Sequence, residues 1–574
     1  MPKKRLAITI AGAVSLGSYE AGVLFEILRA LKENNTQNSH GQIIVDVLTG
    51  ASAGGMTAVT AAQKLLFDAG NLENPYDNVF YNTWVKEINL DRLLALGPDE
   101  KTAFSFFSSN AIETIADDYI TGKYRPKRPY VRHPVVGDSL KLGLALSNLA
   151  GVDYAYPIAR KKGQSENNTF DYTSFEDQKI GDVGCADKSE SEVAKDWEPW
   201  RDAAVACGAF PFAFRVKDLA RAVEEFSDSH HLVKWLQSPR NFPYTDGGLF
   251  QNEPLGMAKN LVDKIDNHLE IDSRFYLFVA PGSKTGVANT GFSATAGTLV
   301  KTAEAIVGAV FNQARFQDWI EAESLNTQID LFNTRARQLF KAILDDQIPP
   351  GALQPAADAL LPGLQKLRPQ AEAEPYNKAV HRLSNQFRYE TAQLGAKSPA
   401  ALKAWIDSIL VLELAAELSS KDEMTIYGIT AKEEELLSHQ FFAFRGFFDI
   451  KFRHHDYNVG REKAREFLKN HRAPEHKKRR DSDDPLPEIG PIDCTLPEDI
   501  LDFDAALAKG LIPKSSVQSN GNPKDRLLQV IMQRVDGILS DLKVPFLLRG
   551  PFKLFVIRGK IKKFLDAQLD GSGP

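Results

Sequence analysis

Cysteine is scarce in this sequence, with three residues among 574 and no CxxC pair. An odd number in so long a chain argues against a disulfide framework and against a structural zinc site. The formal net charge is only -6, so bulk charge gives no reason to expect nucleic acid as a partner. No apolar run reaches the roughly 18 residues that a membrane-spanning helix needs. These absences indicate a globular chain, whose 43% hydrophobic residues can form a core without disulfides.

The N-terminal residues allow two interpretations. Basic residues at 3–5 followed by an apolar run at 6–14 imitate a signal peptide. The same run fits a buried strand at 6–11 that leads into a helix at 18–32 with its own apolar face. We favour the strand, because a cleaved peptide would not need that continuation. We therefore expect a cytoplasmic protein, while export by a route without a cleaved peptide stays open.

Strands and helices alternate in the N-terminal half. A β-branched apolar run at 43–48 precedes an Ala- and Leu-rich helix at 53–66, and further strands are predicted at 140–146 and 274–280. Additional helices are predicted at 79–94, 111–119, 200–206 and 254–265. Unbroken apolar strands separated by helices indicate an α/β fold, a three-layer α/β/α domain with a mostly parallel central sheet.

The composition changes near residue 296, where Ala, Leu, Lys, Glu and Gln become dominant. We divide the chain into an α/β domain at 1–295, a largely helical extension at 296–472, a proline-rich linker at 473–499 and a helical tail at 500–574. The last part of the tail, 541–574, interleaves seven basic and three acidic residues with large apolar ones. Such a pattern suits the surface of an anionic membrane, and packing of the tail onto the α/β domain is the alternative.

One short motif carries nucleophilic chemistry. Gly50-Ala51-Ser52-Ala53-Gly54 fits G-x-S-x-G and lies between a predicted strand and a predicted helix, where a nucleophile elbow must lie. The sharp turn forces the serine into a strained backbone region, and the glycines tolerate the crowding on either side. The hydroxyl then projects at a helix N-terminus, which favours developing negative charge. Ser52 is therefore the candidate nucleophile, and an ordinary glycine-rich turn is the alternative.

A serine nucleophile needs a base and an oxyanion hole. The turn at 12–17 (GAVSLG) follows the first strand and can aim consecutive backbone amides at a tetrahedral intermediate. It is not a phosphate loop, because the required lysine is missing. The candidate base is Asp246 in the stretch at 244–248 (YTDGG), although an Asp-Gly-Gly run alone is commonly just a turn.

Together these segments resemble the patatin-like phospholipase family, whose members carry G-G-G-x-R-G, G-x-S-x-G and D-G-[GA] in this order. The stretches at 17–24 and 206–211 are also similar to family blocks, so the resemblance covers about residues 6–281. The family's oxyanion glycines match Gly12, Ala13 and Val14, its nucleophile matches Ser52 and its base matches Asp246. Its motif glycines match Gly17, Gly50, Gly54, Gly247 and Gly248.

Two departures concern the oxyanion loop: Leu16 replaces the usual arginine, and Ala13 and Val14 replace glycines, which constrains the loop amides. The stretch at 456–461 resembles C-terminal segments of some bacterial patatin-related proteins. The resemblance implies a lipid acyl hydrolase of the phospholipase A or lysophospholipase type. In that family a Ser–Asp dyad, here Ser52 and Asp246, cleaves ester bonds through an acyl-enzyme, with no metal and no cofactor. The sequence does not specify an oligomeric state.

Two other functions stay open. An α/β-hydrolase with a Ser–Asp–His triad is one, because histidines follow Ser52 along the chain; such enzymes usually place several strands before the elbow, and here one precedes it. A catalytically degenerate patatin fold used as a binding or scaffold protein is the other. We interpret three further clusters as structural: the histidines at 230–231 and 454–455 as solvated, the aromatic run at 441–448 as core, and the basic run at 476–480 as linker.

Overall fold

The computed structural model describes residues 4–38, 41–100, 105–157, 169–185, 187–226, 232–233, 239–266, 273–282, 293, 299–366, 375–416, 418, 424–439, 443–471, 489–513, 528–530, 532, 534 and 562. Its strands are β1 (Lys4–Ile10), β2 (Ile43–Gly50), β3 (Ser139–Pro157), β4 (Thr169–Gly184), β5 (Lys217–Arg221), β6 (Leu232–Val233), β7 (Arg240–Asp246), β8 (Ser273–Ala280) and β9 (Ile426–Thr430). Its α-helices are α1 (Gly17–Gln37), α2 (Ser52–Phe67), α3 (Val79–Tyr81), α4 (Leu90–Leu94), α5 (Ser109–Ala116), α6 (Glu190–Cys207), α7 (Leu255–Asp266), α8 (Leu299–Leu344), α9 (Pro350–Lys366), α10 (Tyr376–Gln386), α11 (Arg388–Lys397), α12 (Pro399–Ala415), α13 (Ile450–Asn470) and α14 (Phe503–Ala508).

The strands form one mixed sheet in the order β5-β7-β3-β2-β1-β8-β9. Its centre is parallel, from β3 through β2, β1 and β8 to β9. Strands β4, β6 and β7 pair with β3 in the antiparallel sense, and β5 pairs with β7 in the same way. Helices flank the sheet. The predicted α/β class with a mostly parallel central sheet is therefore confirmed.

The apolar run near the N-terminus forms the central strand. Leu6, Ile8 and Ile10 of β1 are buried, and the strand pairs with β2 on one side and β8 on the other. In this register Ile10 lies beside Gly50, the last residue of β2. Because the two parallel strands end together, the turns that follow them meet at one edge of the sheet.

Helices α1 and α13 cross at two glycines. A Cβ atom on Gly22 would lie 1.9 Å from the carbonyl oxygen of Tyr457, and one on Gly460 would lie 2.1 Å from that of Tyr19. The absence of side chains at both positions lets the two backbones touch. Beside the crossing, the fully buried guanidinium of Arg461 donates a hydrogen bond to the fully buried carboxylate of Glu26 at 3.0 Å. Helix α13 is thereby fixed to the first helix of the α/β domain.

One helix and one histidine differ from their predictions. The helix predicted at 79–94 is interrupted at Ile88, because the side chain of Asn89 accepts a hydrogen bond from Arg92 N and begins the new helix α4. His454, interpreted as solvated, is instead buried. Its Nδ1 atom lies 2.7 Å from the Tyr81 hydroxyl, and its Nε2 atom lies 2.9 Å from a backbone carbonyl.

The chain divides into two compact units that do not follow chain order. The first comprises Met1–Val262, Glu270–Asp318 and Thr425–Pro574, and the second comprises Asp263–Leu269 and Trp319–Met424. The predicted boundaries at 295, 472 and 499 do not coincide with these divisions. The second unit has its own core, in which the indole of Trp405 donates a hydrogen bond to Ala336 O at 2.9 Å.

Several predictions fall on other parts of the chain. The histidines at 230–231, the aromatic residues at 441–442, the basic run at 476–480, linker residues 473–488 and the tail at 541–574 (apart from Lys562) lie outside the described residues. Within the ranges that are described, no helix combines the length and hydropathy that a bilayer crossing requires.

Candidate active site

The predicted elbow lies between β2 and α2, and Ser52 is the first residue of the helix. Its φ angle is +50°, in the left-handed region that a non-glycine residue rarely adopts. Glycines permit the turn on both sides: a Cβ atom on Gly50 would lie 2.4 Å from Gly54 O, and one on Gly54 would lie 2.3 Å from Ala11 O. The strained turn holds the Ser52 side chain at the edge of the sheet, with 5% of the residue's surface exposed.

The hydroxyl of Ser52 donates a hydrogen bond to Asp246, with 2.6 Å between Oγ and Oδ2. The two residues are 194 positions apart in the sequence, and Asp246 ends β7. The second carboxylate oxygen, Oδ1, accepts a hydrogen bond from Gly248 N at 2.7 Å. Each oxygen of the carboxylate therefore has one donor, and one of these donors is the candidate nucleophile.

The backbone of Asp246 is fixed from two directions. Its N–H donates to Ala209 O at 3.0 Å, and its carbonyl oxygen accepts from Ser147 Oγ at 2.8 Å. Gly247 is required here, because a Cβ atom on it would lie 2.0 Å from Ala145 O. These contacts hold the carboxylate against Ser52 before any substrate binds, so the geometry is preorganised.

Complete burial raises the pKa of Asp246 from 3.8 to about 7, and the hydrogen bonds from Ser52 and Gly248 act in the opposite direction. A carboxylate with an ordinary pKa is a poor acceptor for a hydroxyl proton, whereas one that titrates near neutrality is well matched to general base catalysis. The neighbouring thiol of Cys207 is also fully buried, and burial raises its pKa well above the usual value. Cys207 is therefore not a competing nucleophile.

The predicted oxyanion loop lies against the nucleophile. A Cβ atom on Gly12 would lie 3.1 Å from Ser52 Cβ and 2.1 Å from Asn252 Oδ1. However, the Gly12 N–H already donates to Asn252 O at 2.9 Å. In this structure the Gly12 amide therefore holds the loop in place and the missing side chain leaves space beside Ser52, while Gly12 as an oxyanion donor stays a prediction.

The next two residues retain usable amides. Within the described part of the chain, the N–H groups of Ala13 and Val14 have no protein acceptor. Val14 has a φ angle of +51°, a strained conformation for a β-branched side chain. The chain thus adopts, at an energetic cost, a loop conformation for which glycine is better suited. Gly17 makes room for Trp84, since a Cβ atom there would lie 2.6 Å from the indole ring.

The described histidines form their hydrogen bonds elsewhere. Among the described residues, no histidine is bonded to Ser52 or Asp246. His133 contacts Val135 N, His439 contacts Leu436 O, and His454 is held by Tyr81. The described geometry therefore brings together a serine and an aspartate, the pair on which the resemblance was based.

Aromatic side chains lie next to the residues that hold Asp246. Phe210 follows Ala209, and its ring centroid is 5.4 Å from that of Phe444, which lies 5.8 Å from Phe107. Two positions beyond Phe210, Phe212 is 68% exposed. The predicted core role of the run at 441–448 fits Phe444, which is buried. Phe107 is buried as well, so Phe212 is the exposed ring of this group.

Sequence reasoning did not single out Asn252, Ser147 or Ala209 as parts of the site. Ala209 lies in the stretch at 206–211 that resembles a family block, and that similarity could have indicated its contact with Asp246. Asn252 and Ser147 carry no local signal, because their contacts with residues 12 and 246 depend on how distant segments pack.

Two comparisons with known proteins bear on this geometry. A family model described as patatin-like phospholipase matches residues 8–259. The chain is also 25% identical over 398 residues to "Uncharacterized protein y4iI" of Sinorhizobium fredii. That alignment covers 55% of this chain and 54% of the relative, so the chain spans about half of the relative's length.

Proposed function

We propose that the protein cleaves carboxylic esters of lipids with a Ser52–Asp246 dyad, on the premise that residues 8–259 match the family model of patatin-like phospholipases. The observation that carries the proposal is the 2.6 Å hydrogen bond between Ser52 Oγ and Asp246 Oδ2 in a buried site. Burial and the strained elbow give the pair the two properties that the reaction needs, a fixed nucleophile and a carboxylate able to accept its proton.

In the first half of the reaction, Ser52 Oγ attacks the ester carbonyl carbon while its proton passes to Asp246 Oδ2. The carbonyl oxygen becomes an oxyanion, which the amides of Ala13 and Val14 and the N-terminus of α2 stabilise. The tetrahedral intermediate then collapses. The bond to the alcohol oxygen breaks, Asp246 returns the proton to that oxygen, and the acyl group remains on Ser52.

In the second half, water attacks the acyl-enzyme. Asp246 accepts a proton from the water as its oxygen bonds to the acyl carbon, and the same amides stabilise the second oxyanion. Collapse releases the fatty acid, and the proton on Asp246 returns to Ser52 Oγ. The dyad therefore acts as base and then as acid in each half, and it ends in its starting state.

The proposed substrates are phospholipids or lysophospholipids, so that the activity is of the phospholipase A or lysophospholipase type. Support comes from the family match at residues 8–259, and the exposed ring of Phe212, two positions beyond Phe210, adds apolar surface for an acyl chain. An acyl chain gains about 0.8 kcal/mol for each methylene that such a surface removes from water. A small polar ester would gain little from it.

The test compares the wild type and four variants on a short-chain chromogenic ester and on a mixed phospholipid and lysophospholipid extract. Ser52→Ala and Asp246→Asn should each lose most of the turnover on both substrates, and the double variant should lose little more, because the two residues act as a unit. Ser408→Ala is the matched control, since it also removes a serine hydroxyl but one that donates to Ala404 O at 2.7 Å within α12. A fluorophosphonate probe should label the wild type at Ser52 and leave Ser52→Ala unlabelled. Turnover that survives in both single variants would reject the dyad, and no Ser52-dependent turnover in the wild type would favour a scaffold role.

We also propose that the tail at 541–574 contacts anionic membranes. Its net charge of +4 and its interleaved apolar residues support this, since each cation near an anionic surface contributes about 1 kcal/mol. Truncation after Asp541 should weaken sedimentation with anionic vesicles and spare hydrolysis of the soluble ester. Loss of the soluble-ester activity on truncation would instead show that the tail is part of the folded enzyme.

A further inference from the structure

A segment far along the chain holds the oxyanion loop. We call it the brace, and it consists of Leu436–His439 and Ala443–Phe448 in the described structure. The carbonyl oxygen of Ala443 accepts two hydrogen bonds from Ser15, one from the backbone N–H at 3.1 Å and one from the side-chain hydroxyl. Ser15 directly follows Val14, whose amide is one of the two candidate oxyanion donors. The position of Ala443 therefore bears on the direction of that amide.

Gly446 forms a second contact between the brace and the loop. A Cβ atom on Gly446 would lie 2.5 Å from Ser15 Oγ and 2.5 Å from Ser438 Oγ. The backbone at this glycine therefore fills the space between the loop and the first part of the brace. A shift of Ser438 would be transmitted to Ser15 through direct packing, since a close-packed interior has no slack to absorb it.

Helix α13 fixes the brace at two points. The fully buried carboxylate of Asp456 accepts hydrogen bonds from Leu437 N at 2.8 Å and Ser438 N at 3.1 Å. The buried guanidinium of Arg453 donates to Gly446 O at 2.6 Å. Because the Gly22–Gly460 crossing fixes α13 to α1, and α1 begins directly after the oxyanion loop, the loop and its support belong to one rigid arrangement.

We propose that Asp456 is a positioning residue for catalysis, which holds the brace so that Ser15 and the Ala13 and Val14 amides face the reacting carbonyl. The inference rests on the proposed hydrolase function and assigns part of that site to a segment nearly 400 residues from Ser52. Asp456 touches neither substrate nor nucleophile. Its effect passes through Ser438, Gly446 and Ala443 to Ser15.

The main test is Asp456→Asn, in which the amide can accept one of the two backbone hydrogen bonds but not both. The kcat for the soluble ester should fall roughly 10–100-fold with KM within about threefold, because the loss concerns the oxyanion in the transition state. The affinity for a trifluoromethyl ketone, which forms a tetrahedral adduct with a serine, should fall by a similar factor. Ser15→Ala, which keeps the backbone hydrogen bond to Ala443, should show a smaller loss of the same kind.

Asp46→Asn is the matched control. Asp46 is also a buried carboxylate, but it lies six residues before Ser52 within β2 and pairs with Arg274 near the start of β8. This variant should lose thermal stability and retain kcat. Equal losses of kcat in Asp456→Asn and Asp46→Asn, measured at equal folded fraction, would overturn the proposal.

Two readouts keep the inference separate from the proposed function. Hydrogen–deuterium exchange of a peptide that covers residues 10–18 should be faster in Asp456→Asn than in the wild type and unchanged in Asp46→Asn, whatever the activity. A wild type without Ser52-dependent turnover rejects the hydrolase function, and unchanged exchange in an active enzyme rejects the brace. If Asp456→Asn does not fold, Ser15→Ala decides: an unchanged kcat and unchanged affinity for the ketone would contradict the proposal.

Discussion

The Gly12 N–H donates a hydrogen bond to Asn252 O at 2.9 Å, while a Cβ atom on Gly12 would lie 2.1 Å from the side-chain oxygen of the same asparagine. The first residue of the oxyanion loop is thus tied to the segment that follows Asp246. Because Gly12 also lies against Ser52 Cβ, this contact sets the spacing between the loop and both members of the dyad.

Substitution of Gly12 should therefore reduce turnover through crowding rather than through loss of a donor. We expect Gly12→Val to lower kcat roughly 10–1000-fold by displacing Ser52 or the adjacent amides. Gly12→Ala should cost less, and adding Asn252→Ala should restore part of its activity, because the closest atom belongs to that side chain. The measurement is kcat on a soluble ester, and Ala13→Gly, which keeps the backbone donor, should retain folding and at least part of the activity. A fully active Gly12→Val enzyme would mean that the loop lies elsewhere in solution.

The pH dependence of turnover should report Asp246. Burial raises its pKa to about 7, and the carboxylate must be ionised to accept the proton of Ser52. We therefore expect kcat/KM to rise with pH through about 7 and to level off above it. The measurement is a rate profile with a soluble ester between about pH 5 and pH 9.

An inflection near pH 4 would contradict a buried base. An inflection near pH 6.5 that disappears on substitution of a histidine would favour the Ser–Asp–His triad. Replacement of each histidine in turn by glutamine distinguishes these outcomes, and we expect each of these variants to retain the profile of the wild type.

Local sequence was sufficient to predict the sharp turn between strand and helix and to indicate Ser52 as the candidate nucleophile. The strand ending at Gly50, the sharp turn at Ser52 and the following helix are all encoded within about 25 consecutive residues, where hydrophobic pattern and glycine spacing act together. The candidate base, Asp246, was indicated only by the order of several motifs, since an Asp-Gly-Gly run alone does not specify a distant partner.

The other strands and the contacts of the oxyanion loop depend on packing between segments that are far apart in the sequence. Strand β4 has many polar and exposed residues, so its pattern does not indicate a strand, and only its pairing along β3 makes it one. The bond between Ser15 and Ala443 spans 428 residues. No local propensity encodes such contacts, because they follow from the way α13 crosses α1. For this reason the sequence assigned the brace to a separate extension.

The ionised carboxylate of Asp246 should lower the free energy of unfolding at neutral pH. Because the pKa of Asp246 is about 7 in the folded state and near 3.9 in the unfolded state, the folded state binds the proton more tightly. The contribution of this group to stability is therefore fully present below about pH 4, and it is lost as the pH rises through about 7. Asp246→Asn removes the charge, so its melting temperature relative to the wild type should increase between pH 5 and pH 8.

Asp46→Asn again serves as the reference, since its carboxylate is paired with arginine and should give no such gain at pH 8. The difference between the folded and unfolded pKa of Asp246 corresponds to about 4 kcal/mol of unfolding free energy. The substitution also weakens the hydrogen bond with Ser52, which makes the gain in stability smaller. A melting temperature of Asp246→Asn that falls relative to the wild type between pH 5 and pH 8 would show that the folded protein does not raise this pKa.

The close crossing of α1 and α13 predicts that Gly22 does not tolerate a side chain. A Cβ atom on Gly22 would lie 1.9 Å from Tyr457 O, and backbone cannot move aside as a flexible side chain can. We expect Gly22→Ala to lower the free energy of unfolding by at least about 2 kcal/mol, because the two helices must separate to admit one methyl group. The same displacement should move the brace and the oxyanion loop, so kcat should fall in the molecules that remain folded.

Gly70→Ala is the control, since nothing lies within 4 Å of its Cβ position, and it should leave stability unchanged or slightly higher. Thermal unfolding and ester hydrolysis of both variants test the prediction, and a Gly22→Ala protein as stable and as active as Gly70→Ala would show that the helices do not approach so closely.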